Sequence, residues 1–556
     1  HTVSETSPGN LLLALQNPAL YKHPVDGFQI IETHISLVIL TGQYAYKIKK
    51  PMDFGFLDFS TLARRKHFCE EELRLNRRLA EPLYLEVLPI TGSPEQPVIG
   101  GEGEPFEYVL KMRQFRQNQL FDQQQETGRL KPELLSSLAR QVADFHDGLK
   151  PIPEDKPLGT PEAVYEAMQE NFDQIRPLIS DAPLLSQLEN LEAWTQTTFE
   201  RHRNLIAKRR SDGFVRECHG DLHLANITVY DGKVTVFDCI EFSEPFRWID
   251  VINDLAFLLM DLESRSEPAL ANLVLNTYLE YRGDFEALPL LPLYKAYRAL
   301  VRAKIALFTM ANPALGEQEK EGLMQRYRDY AQLAEDYSSI PNHYLLATVG
   351  LSASGKSCVS AAMSGELGLI RLRSDVERKR LHGLAPLEDS RSPTGENLYS
   401  AEANEKTYAR LATLASDLLA AGLPVIVDAA CLKERERALF AAAAESQGVP
   451  FALIHCEAPE ELRKEWVRKR KGDASEATEE LLDAQKDWFE PCAISKIRST
   501  KRFARKTFQP SMPKNQREAS FQVLPMEISE GSTCAGWMLK DLILATPIFG
   551  AQISGA

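Results

Sequence analysis

The stretch YLLATVGLSASGKS, which ends at Ser357, constrains the fold of this chain more than any other part of the sequence. An apolar strand-like run leads straight into the spacing G-x-x-x-x-G-K-S. Where a strand precedes and a helix follows, the backbone N–H groups of such a loop surround phosphate oxygens. We therefore predict that Gly350, Ser352 and Gly355 belong to a phosphate-binding loop for ATP. Lys356 is expected to reach the β- and γ-phosphates, and the Ser357 hydroxyl is expected to hold Mg²⁺.

Strand-like and helical patterns alternate through this part of the chain. The strand-like segments are YLLATV, LIRLRS, LPVIVD and PFALIHC, with helical segments between them. Such alternation predicts an α/β P-loop NTPase domain with a parallel sheet that is covered on both faces. Asp375 follows the second strand, and Asp428 closes the third. Asp428 is the expected Mg²⁺ ligand of the Walker-B kind, although an Asp at a strand end is often only the N-cap of the next helix.

A second group of polar residues lies in the stretch HGDLHLANITVYDGKVTVFD, from His219 to Asp238. Asp221 and Asn226 have the spacing D-x-x-x-x-N, and two apolar strand-like runs separate Asn226 from Asp238. The Asp-Gly pair at 231–232 lies between these runs. It predicts a two-residue hairpin, because a type I′ turn requires positive φ at both central positions.

The predicted hairpin determines which residues meet at its open end. Pairing Tyr230 with Lys233 brings Asn226 and Asp238 together there. Strict alternation would direct these two side chains to opposite faces of the ribbon, so at least one must lie just beyond the regular ladder. With Asp221, the spacing is that of a kinase catalytic loop, in which the Asp accepts the hydroxyl proton of the substrate and the Asn holds a metal ion. Each residue alone is typical of a cap or turn, but their joint spacing favours phosphoryl transfer from Mg·ATP.

The segments HGDLHLAN and VFDCIEF resemble the aminoglycoside phosphotransferase-like kinases, which are similar in fold to protein kinases but carry H-G-D in place of H-R-D. The resemblance implies a protein kinase-like bilobal α+β domain, with Asp221 as the catalytic base and with Asn226 and Asp238 as Mg²⁺ ligands. It also implies that the helix DVINDLAFL, at 250–258, lies behind the site. The resemblance extends over residues 25–335, roughly.

The N-terminal region supplies candidates for a lysine that binds ATP and for the partner of this lysine. HISLVILTGQYAYKIKK predicts a hairpin, and FCEEELRLNRRLAEPL predicts a helix. Lys47 on the second strand is expected to reach the phosphates, and Glu72 on the helix is expected to pair with it. Lys49 lies on the same face of the strand and is the rival of Lys47. Glu70 and Glu71 compete with Glu72 in the same way.

The P-loop half resembles small kinases with an adenylate kinase-like core, of the gluconate kinase, chloramphenicol phosphotransferase, polynucleotide kinase and zeta toxin types. The resemblance implies that Asp375, in the motif SD, activates the acceptor hydroxyl. The basic segment RKEWVRKRKGDASEA, at 463–477, is similar to a lid whose arginines close on the transferred phosphoryl group. Arg468 and Arg470 are the candidates, and a solvated helix face is the alternative for such a basic run. The chain as a whole resembles bacterial bifunctional proteins that join these two kinds of domain.

The chain of 556 residues is long enough for several cores. We predict a kinase-like domain at 1–338, a P-loop domain at 341–492 and a tail at 493–556 without an assigned function. No apolar run approaches the ~20 residues that span a membrane, so the cytoplasm is the expected location and no membrane partner is expected. The net charge of −14 argues against nucleic acid as a partner.

Two hypotheses compete with that of a kinase that has two Mg·ATP sites and acts on hydroxyls of small molecules. In the first, the P-loop half is the enzyme and the N-terminal half is a regulatory pseudokinase. The complete set of Asp221, Asn226 and Asp238 argues against this hypothesis. In the second, the protein phosphorylates nucleic acid ends or modifies a macromolecule through the basic segments at 463–471 and 496–506. The sequence does not identify the acceptor molecules.

Overall fold

The structure is a computed structural model, and it describes residues 8–391, 397–492 and 522–527. The chain divides into two units. The first unit comprises the chain up to residue 265 and residues 290–338, and the second comprises residues 266–289 and the chain from 339 onward. Among the described residues, no helix is both long and apolar enough to cross a membrane.

The strands and helices have the following bounds, in chain order. The strands are β1 (Gln29–Glu32), β2 (Ser36–Leu40), β3 (Tyr44–Lys49), β4 (Tyr84–Gly92), β5 (Pro97–Ile99), β6 (Glu107–Arg113), β7 (Val215–Glu217), β8 (Ile227–Tyr230), β9 (Lys233–Val236), β10 (Trp248–Asp250), β11 (Leu345–Val349), β12 (Ile370–Arg373), β13 (Val425–Asp428), β14 (Phe451–Glu457) and β15 (Gln522–Glu527). The α-helices are α1 (Pro8–Ala14), α2 (Leu62–Ala80), α3 (Phe121–Glu126), α4 (Pro132–Gly148), α5 (Pro161–Ile175), α6 (Ala182–Ser211), α7 (Glu244–Arg247), α8 (Val251–Ser264), α9 (Pro268–Arg282), α10 (Leu291–Met310), α11 (Glu317–Asp336), α12 (Lys356–Leu367), α13 (Ser374–Leu381), α14 (Ala401–Ala420), α15 (Glu434–Ser446), α16 (Glu460–Lys469) and α17 (Glu479–Trp488).

The first unit begins with an antiparallel sheet in the order β1-β2-β3-β6-β4-β5. β3 pairs with β2 on one side and with β6 on the other, so the predicted hairpin is confirmed. In this register Lys47 stands opposite Val38 and Leu110, in the middle of the sheet. The predicted helix is α2, which begins after the N-cap Thr61 and packs on β4 and β6. The sheet and this helix bring together Lys47 and Glu72, which are 25 residues apart in the sequence.

The hairpin of β8 and β9 has the predicted register. Tyr230 pairs with Lys233, and the two residues of the Asp-Gly turn have φ of +49° and +72°, as a type I′ turn requires. Asn226 and Asp238 both lie just outside the paired strands, and Asp238 has a φ of +57°. Leaving the ladder frees both side chains from strict alternation, as predicted.

Helices form the rest of the first unit, around a shared apolar core. Every residue of α8 from Val251 to Leu262 is buried, so this helix runs through the interior. Buried side chains of α5, α6, α10 and α11 pack with it, among them Phe172, Leu188, Leu300 and Tyr327. Burial of each such side chain stabilises the fold by about 1.5–3 kcal/mol before the entropic cost of ordering it. A sheet followed by a helical lobe is the kinase-like α+β architecture predicted from the sequence.

The second unit contains the predicted parallel sheet. Its strand order is β12-β13-β11-β14-β15, and every neighbouring pair is parallel. Leu346, Ile426 and Ile454 from three strands pack against Val359 and Met363 of α12. The predicted α/β P-loop fold is therefore confirmed. Of the predicted tail, only β15 is described; the basic segment at 496–506 lies outside the described residues.

One segment of the predicted first domain is part of the second unit. Residues 266–289 belong to the second unit, although the sequence boundary was expected near residue 340. The physical reason is that α9 bonds to the P-loop sheet: Asn276 Nδ2 donates to the carbonyl oxygen of Leu369 at 3.0 Å. The Arg371 N–H donates to Asn276 Oδ1 at 2.8 Å. A helical pattern in the sequence does not reveal which sheet a helix covers.

Candidate functional sites

The loop that carries Asp221 is held by the buried helix α8. Asp254 of this helix accepts hydrogen bonds from the backbone N–H of His219 at 3.2 Å and of Gly220 at 2.9 Å. Gly220 has a φ of +84°, and a Cβ at this position would lie 2.7 Å from the carbonyl oxygen of Phe246. His146 contacts the same carboxylate at 2.8 Å. The sequence HGD therefore has its glycine because the backbone turns sharply in a close-packed place.

Asp221 and Asn226 lie in direct contact. Asn226 Nδ2 donates to the Asp221 carboxylate and to its carbonyl oxygen, both at 3.0 Å. His223 Nε2 lies 3.2 Å from the same carboxylate. Burial opposes ionisation of Asp221, but His223 outweighs it, and the pKa of Asp221 is lowered below its usual value. The carboxylate is thus ionised at neutral pH and held in one orientation.

Lys47 joins the helix α2 to the end of the hairpin. Its Nζ donates to Glu72 Oε1 at 2.7 Å and to Asp238 Oδ1 at 3.1 Å. Burial lowers the pKa of Lys47, but Asp238 and Glu72 reverse this effect and raise it well above its usual value. Burial raises the pKa of Glu72, whereas Lys47 and Lys49 lower it to about 2. Lys47 and Glu72 are therefore both charged at neutral pH.

The competing residues on β3 and on α2 occupy different environments. Lys49 is buried and donates to Glu72 Oε2 at 2.7 Å and to Glu241, so it belongs to an internal ion cluster. Glu71 pairs with Arg74 at 2.9 Å, and Glu70 lies on an exposed face. Lys47 is the lysine that contacts Asp238.

A cavity of about 240 Å³ opens where these groups meet. Apolar side chains line most of it, among them those of Val38, Leu40, Ala45, Leu83, Met112 and Phe237. The polar residues of its lining are Lys47, Arg113, Gln114, Gln117, Asn226 and Asp238. The amide nitrogen of Asn226 is committed to Asp221, so its oxygen is the atom that can bind a cation. Two oxygen donors beside an apolar cavity fit Mg²⁺ and a nucleotide base.

The glycine-rich loop of the second unit connects β11 to α12. Gly350 has a φ of +154°, and a Cβ there would lie 2.4 Å from the carbonyl oxygen of Cys456. Lys356 Nζ donates to the carbonyl oxygen of Leu351 at 2.7 Å. The N–H of Ser352 donates to Gln485 Oε1 at 2.7 Å, so an oxygen acceptor already lies on a loop N–H group. Such a loop is built to surround oxygens of an anion.

A cavity of about 590 Å³ lies over this loop. Its lining includes nearly all the predicted groups of this half, namely Ser352, Gly355, Lys356, Ser357, Asp375, Asp428 and Arg470. Gly350 lies instead on a neighbouring cavity of about 650 Å³. Arg378, Tyr399 and Asn404 also line the cavity over the loop.

The two carboxylates at the strand ends have different partners. Asp428 accepts from Ser360 Oγ at 2.9 Å and from the Arg371 guanidinium at 3.0 Å. Burial raises the pKa of Asp428, but the arginines of β12 outweigh it and the pKa is lowered. Asp375 lies in the first turn of α13 and accepts from Arg378 at 2.9 Å. Asp428 and the Ser357 hydroxyl offer oxygens to one cavity, which fits the donor set of Mg²⁺.

The two predicted lid arginines differ in position. Arg470 lines the cavity, and its Nε lies 3.7 Å from Asp473. Arg468 is not among the lining residues; its exposed side chain pairs with Glu479 at 2.6 Å. The structure therefore brings only Arg470 to the cavity.

Three functional candidates escaped sequence reasoning. Arg371 donates to Asp428. Gln485 accepts the hydrogen bond of the Ser352 N–H, and Glu280 lies beside Arg371. Only Arg371 left a signal, because charged residues alternate with apolar ones in IRLR and a buried strand seldom tolerates a charge without a partner. Gln485 and Glu280 lie on helices far away in the sequence.

Two regions of the chain match known families. Residues 106–291 match the phosphotransferase enzyme family, and residues 345–492 match the AAA domain family. A region similar to the phosphotransferase enzyme family thus precedes a region similar to the AAA domain family.

Relatives share both parts. An uncharacterized protein of Mycobacterium tuberculosis is 28% identical over 474 residues, which cover 84% of this chain and 92% of that protein. An uncharacterized protein of Mycobacterium bovis has the same identity and coverage. Among solved structures, a choline/ethanolamine kinase family protein from Mesorhizobium loti has 12% identity and a TM-score of 0.37, covering 59% of this chain and 98% of that one. A sugar kinase from Janibacter sp. has 20% identity and a TM-score of 0.22, covering 33% and 86%.

Proposed function

We propose that each unit binds Mg·ATP and transfers the γ-phosphoryl group to a hydroxyl of a small molecule. The observation that carries this proposal is the contact of Lys47 with both Glu72 and Asp238, where Lys47 and Asp238 line a mostly apolar cavity. It joins a phosphate-binding cation to an oxygen donor for Mg²⁺. Asp221 does not line this cavity, but it bonds to Asn226, which does.

In the first unit, the adenine base would occupy the apolar part of the cavity, and the phosphates would lie on Lys47. Asn226 and Asp238 would hold Mg²⁺, which neutralises charge on the phosphate oxygens when bound. The acceptor oxygen forms a bond to the γ-phosphorus while the bond from this phosphorus to the oxygen of ADP breaks. The hydroxyl proton passes to the Asp221 carboxylate, whose lowered pKa leaves it unprotonated before the reaction.

In the second unit, the phosphates would lie on the loop N–H groups and on Lys356. Ser357 and Asp428 would hold the metal ion. Asp375 would accept the proton from a hydroxyl in the cavity of about 590 Å³, and Arg470 would approach the transferred group. Gln485 would have to leave the Ser352 N–H when a phosphate oxygen takes its place.

Transfer of labelled phosphate from ATP into a metabolite extract tests this function. The wild-type protein is expected to label at least one small molecule, and chains with Asp221→Asn or Lys356→Ala are expected to lose different products. Absence of any labelled product, with ATP bound normally, contradicts small-molecule transfer. A single product that is lost only with Lys356→Ala supports the pseudokinase hypothesis for the first unit.

The two neighbouring lysines of β3 are expected to respond differently to substitution. Lys47→Met should weaken ATP binding in the first unit by about tenfold or more, because a charge-assisted contact to phosphate is lost. Lys49→Met should instead lower the free energy of unfolding by ~3–5 kcal/mol, because buried Glu241 loses its ion-pair partner. Denaturant unfolding and nucleotide titration separate the two effects. Equal loss of ATP affinity in both variants would contradict the assignment.

A further inference from the structure

Helix α9 completes the edge of the P-loop sheet. β12 is the outermost strand, and its free edge meets the Asn276 side chain, which bonds to the Leu369 carbonyl and the Arg371 N–H. Asn272, one turn earlier, donates to the carbonyl oxygen of Gly365 at 2.8 Å. A side-chain amide that pairs with both backbone groups replaces a neighbouring strand and covers an edge that would otherwise stay open.

Glu280 lies one turn beyond Asn276, on the same face of α9. Its carboxylate is 3.4 Å from the Arg371 guanidinium and 3.5 Å from the Arg373 guanidinium. The same two guanidinium groups contact Asp428, at 3.0 Å and 3.7 Å. Glu280 and Asp428 thus share two arginines, and the arginine side chains are only 11% exposed.

Glu280 is one of three carboxylates that contact the two arginines of this cluster, with Asp428 and Asp473. Arg371 and Arg373 supply two positive charges, and Arg373 also pairs with Asp473 at 2.7 Å. Lys356 of the loop interacts with Asp428 as well. Because the groups are buried, their mutual attraction is screened much less than at the surface. Without Glu280, more of the positive charge of the two arginines would act on Asp428.

We propose that Glu280 is a positioning residue of the P-loop site. By sharing Arg371 and Arg373, it keeps the Asp428 carboxylate available to a Mg·nucleotide, and α9 is an integral part of that site. This inference rests on the proposed function of the second unit. It means that a segment whose sequence lies inside the phosphotransferase region, 106–291, serves the other site.

The test measures the Mg²⁺ dependence of nucleotide binding in the full chain. The parent chain carries Lys47→Met, which weakens the first site, and every other substitution is added to it. A non-hydrolysable ATP analogue is titrated at a series of Mg²⁺ concentrations. Glu280→Gln is expected to raise the Mg²⁺ concentration for half-maximal binding by about tenfold, because Asp428 is drawn more strongly to the arginines. Glu366→Gln removes the same charge from an exposed position of α12. This substitution should change the Mg²⁺ concentration for half-maximal binding by less than about twofold.

A second variant separates positioning from folding. Asn276→Ala should lower the thermal unfolding temperature, because two backbone groups of the sheet edge lose their partner, while the Mg²⁺ midpoint stays near that of the parent chain. The proposal is overturned if Glu280→Gln behaves like Glu366→Gln. It is equally overturned if Glu280→Gln weakens nucleotide binding to the same extent with and without Mg²⁺. If Lys356→Ala does not affect binding in the parent chain, the proposed function of the second unit fails and this inference fails with it.

Discussion

Replacing Asp221 with Asn is expected to reduce phosphoryl transfer by the first unit ~10²–10⁴-fold while ATP affinity changes only a few-fold. The amide cannot accept the hydroxyl proton, so the chemical step loses its base. The side chain keeps its shape, and an amide oxygen can still accept the hydrogen bond that Asn226 Nδ2 donates at 3.0 Å. Nucleotide contacts depend on Lys47 and the apolar cavity, which the substitution leaves in place.

Asp231→Asn is the matched control for this prediction. Asp231 lies at the exposed tip of the same hairpin with a φ of +49°, a conformation that Asn also adopts readily. The same chemical change there should leave transfer and stability unaltered. The measurement is single-turnover transfer of labelled phosphate together with nucleotide titration. Unchanged turnover with Asp221→Asn, or loss of ATP binding in a folded protein, would exclude Asp221 as the base.

The hairpin that follows Asp221 shows what local chemistry can predict. The Asp-Gly pair permits positive φ at two successive positions, and this requirement alone determined the register in which Tyr230 pairs with Lys233. The prediction that at least one of Asn226 and Asp238 lies beyond the ladder followed from the two-residue period of a strand, and in the structure both do. In both cases the controlling interactions lie within a few residues of each other.

The choice between Lys47 and Lys49 shows where local reasoning ends. Residues two apart on a strand share a face, so the period of the strand cannot distinguish them. Both lysines contact Glu72. Their environments differ because Lys47 also contacts Asp238, 191 residues later, whereas Lys49 also contacts Glu241. The role of α9 escaped prediction for a related reason. Asn276 and Glu280 look like ordinary polar positions of a helix until β12 and its arginines lie beside them.

The contacts between α9 and β12 determine how nucleotide binding by the P-loop half must be measured. The P-loop half cannot be examined fairly as a fragment that begins near residue 340, because such a fragment lacks α9 and with it Asn276 and Glu280. The edge of β12 would be open, and two buried arginines would lose a carboxylate partner. Stoichiometry is therefore to be measured on the full chain.

The full chain is expected to bind about two nucleotides, since each unit has its own proposed phosphate-binding lysine and its own proposed oxygen donors for a metal ion. Lys356→Ala should reduce this number to about one. Its ammonium lines the cavity over the loop, and loss of such a charge-assisted contact costs ~2 kcal/mol or more, which weakens binding roughly thirtyfold. Calorimetry with Mg²⁺ and a non-hydrolysable ATP analogue measures the number of sites directly.

Two further variants make the result specific. Lys406→Ala removes a lysine from the exposed surface of α14, where it pairs with Glu402, and should leave about two sites. Asp238→Ala should remove the other site, because Lys47 then lacks one carboxylate partner and the first cavity loses an oxygen donor for the metal ion. The double substitution Lys356→Ala with Asp238→Ala should abolish binding in a chain that remains folded. A wild-type stoichiometry of one that disappears entirely with Lys356→Ala would mean that the Lys47 cluster does not bind ATP, and the first unit would then be a pseudokinase.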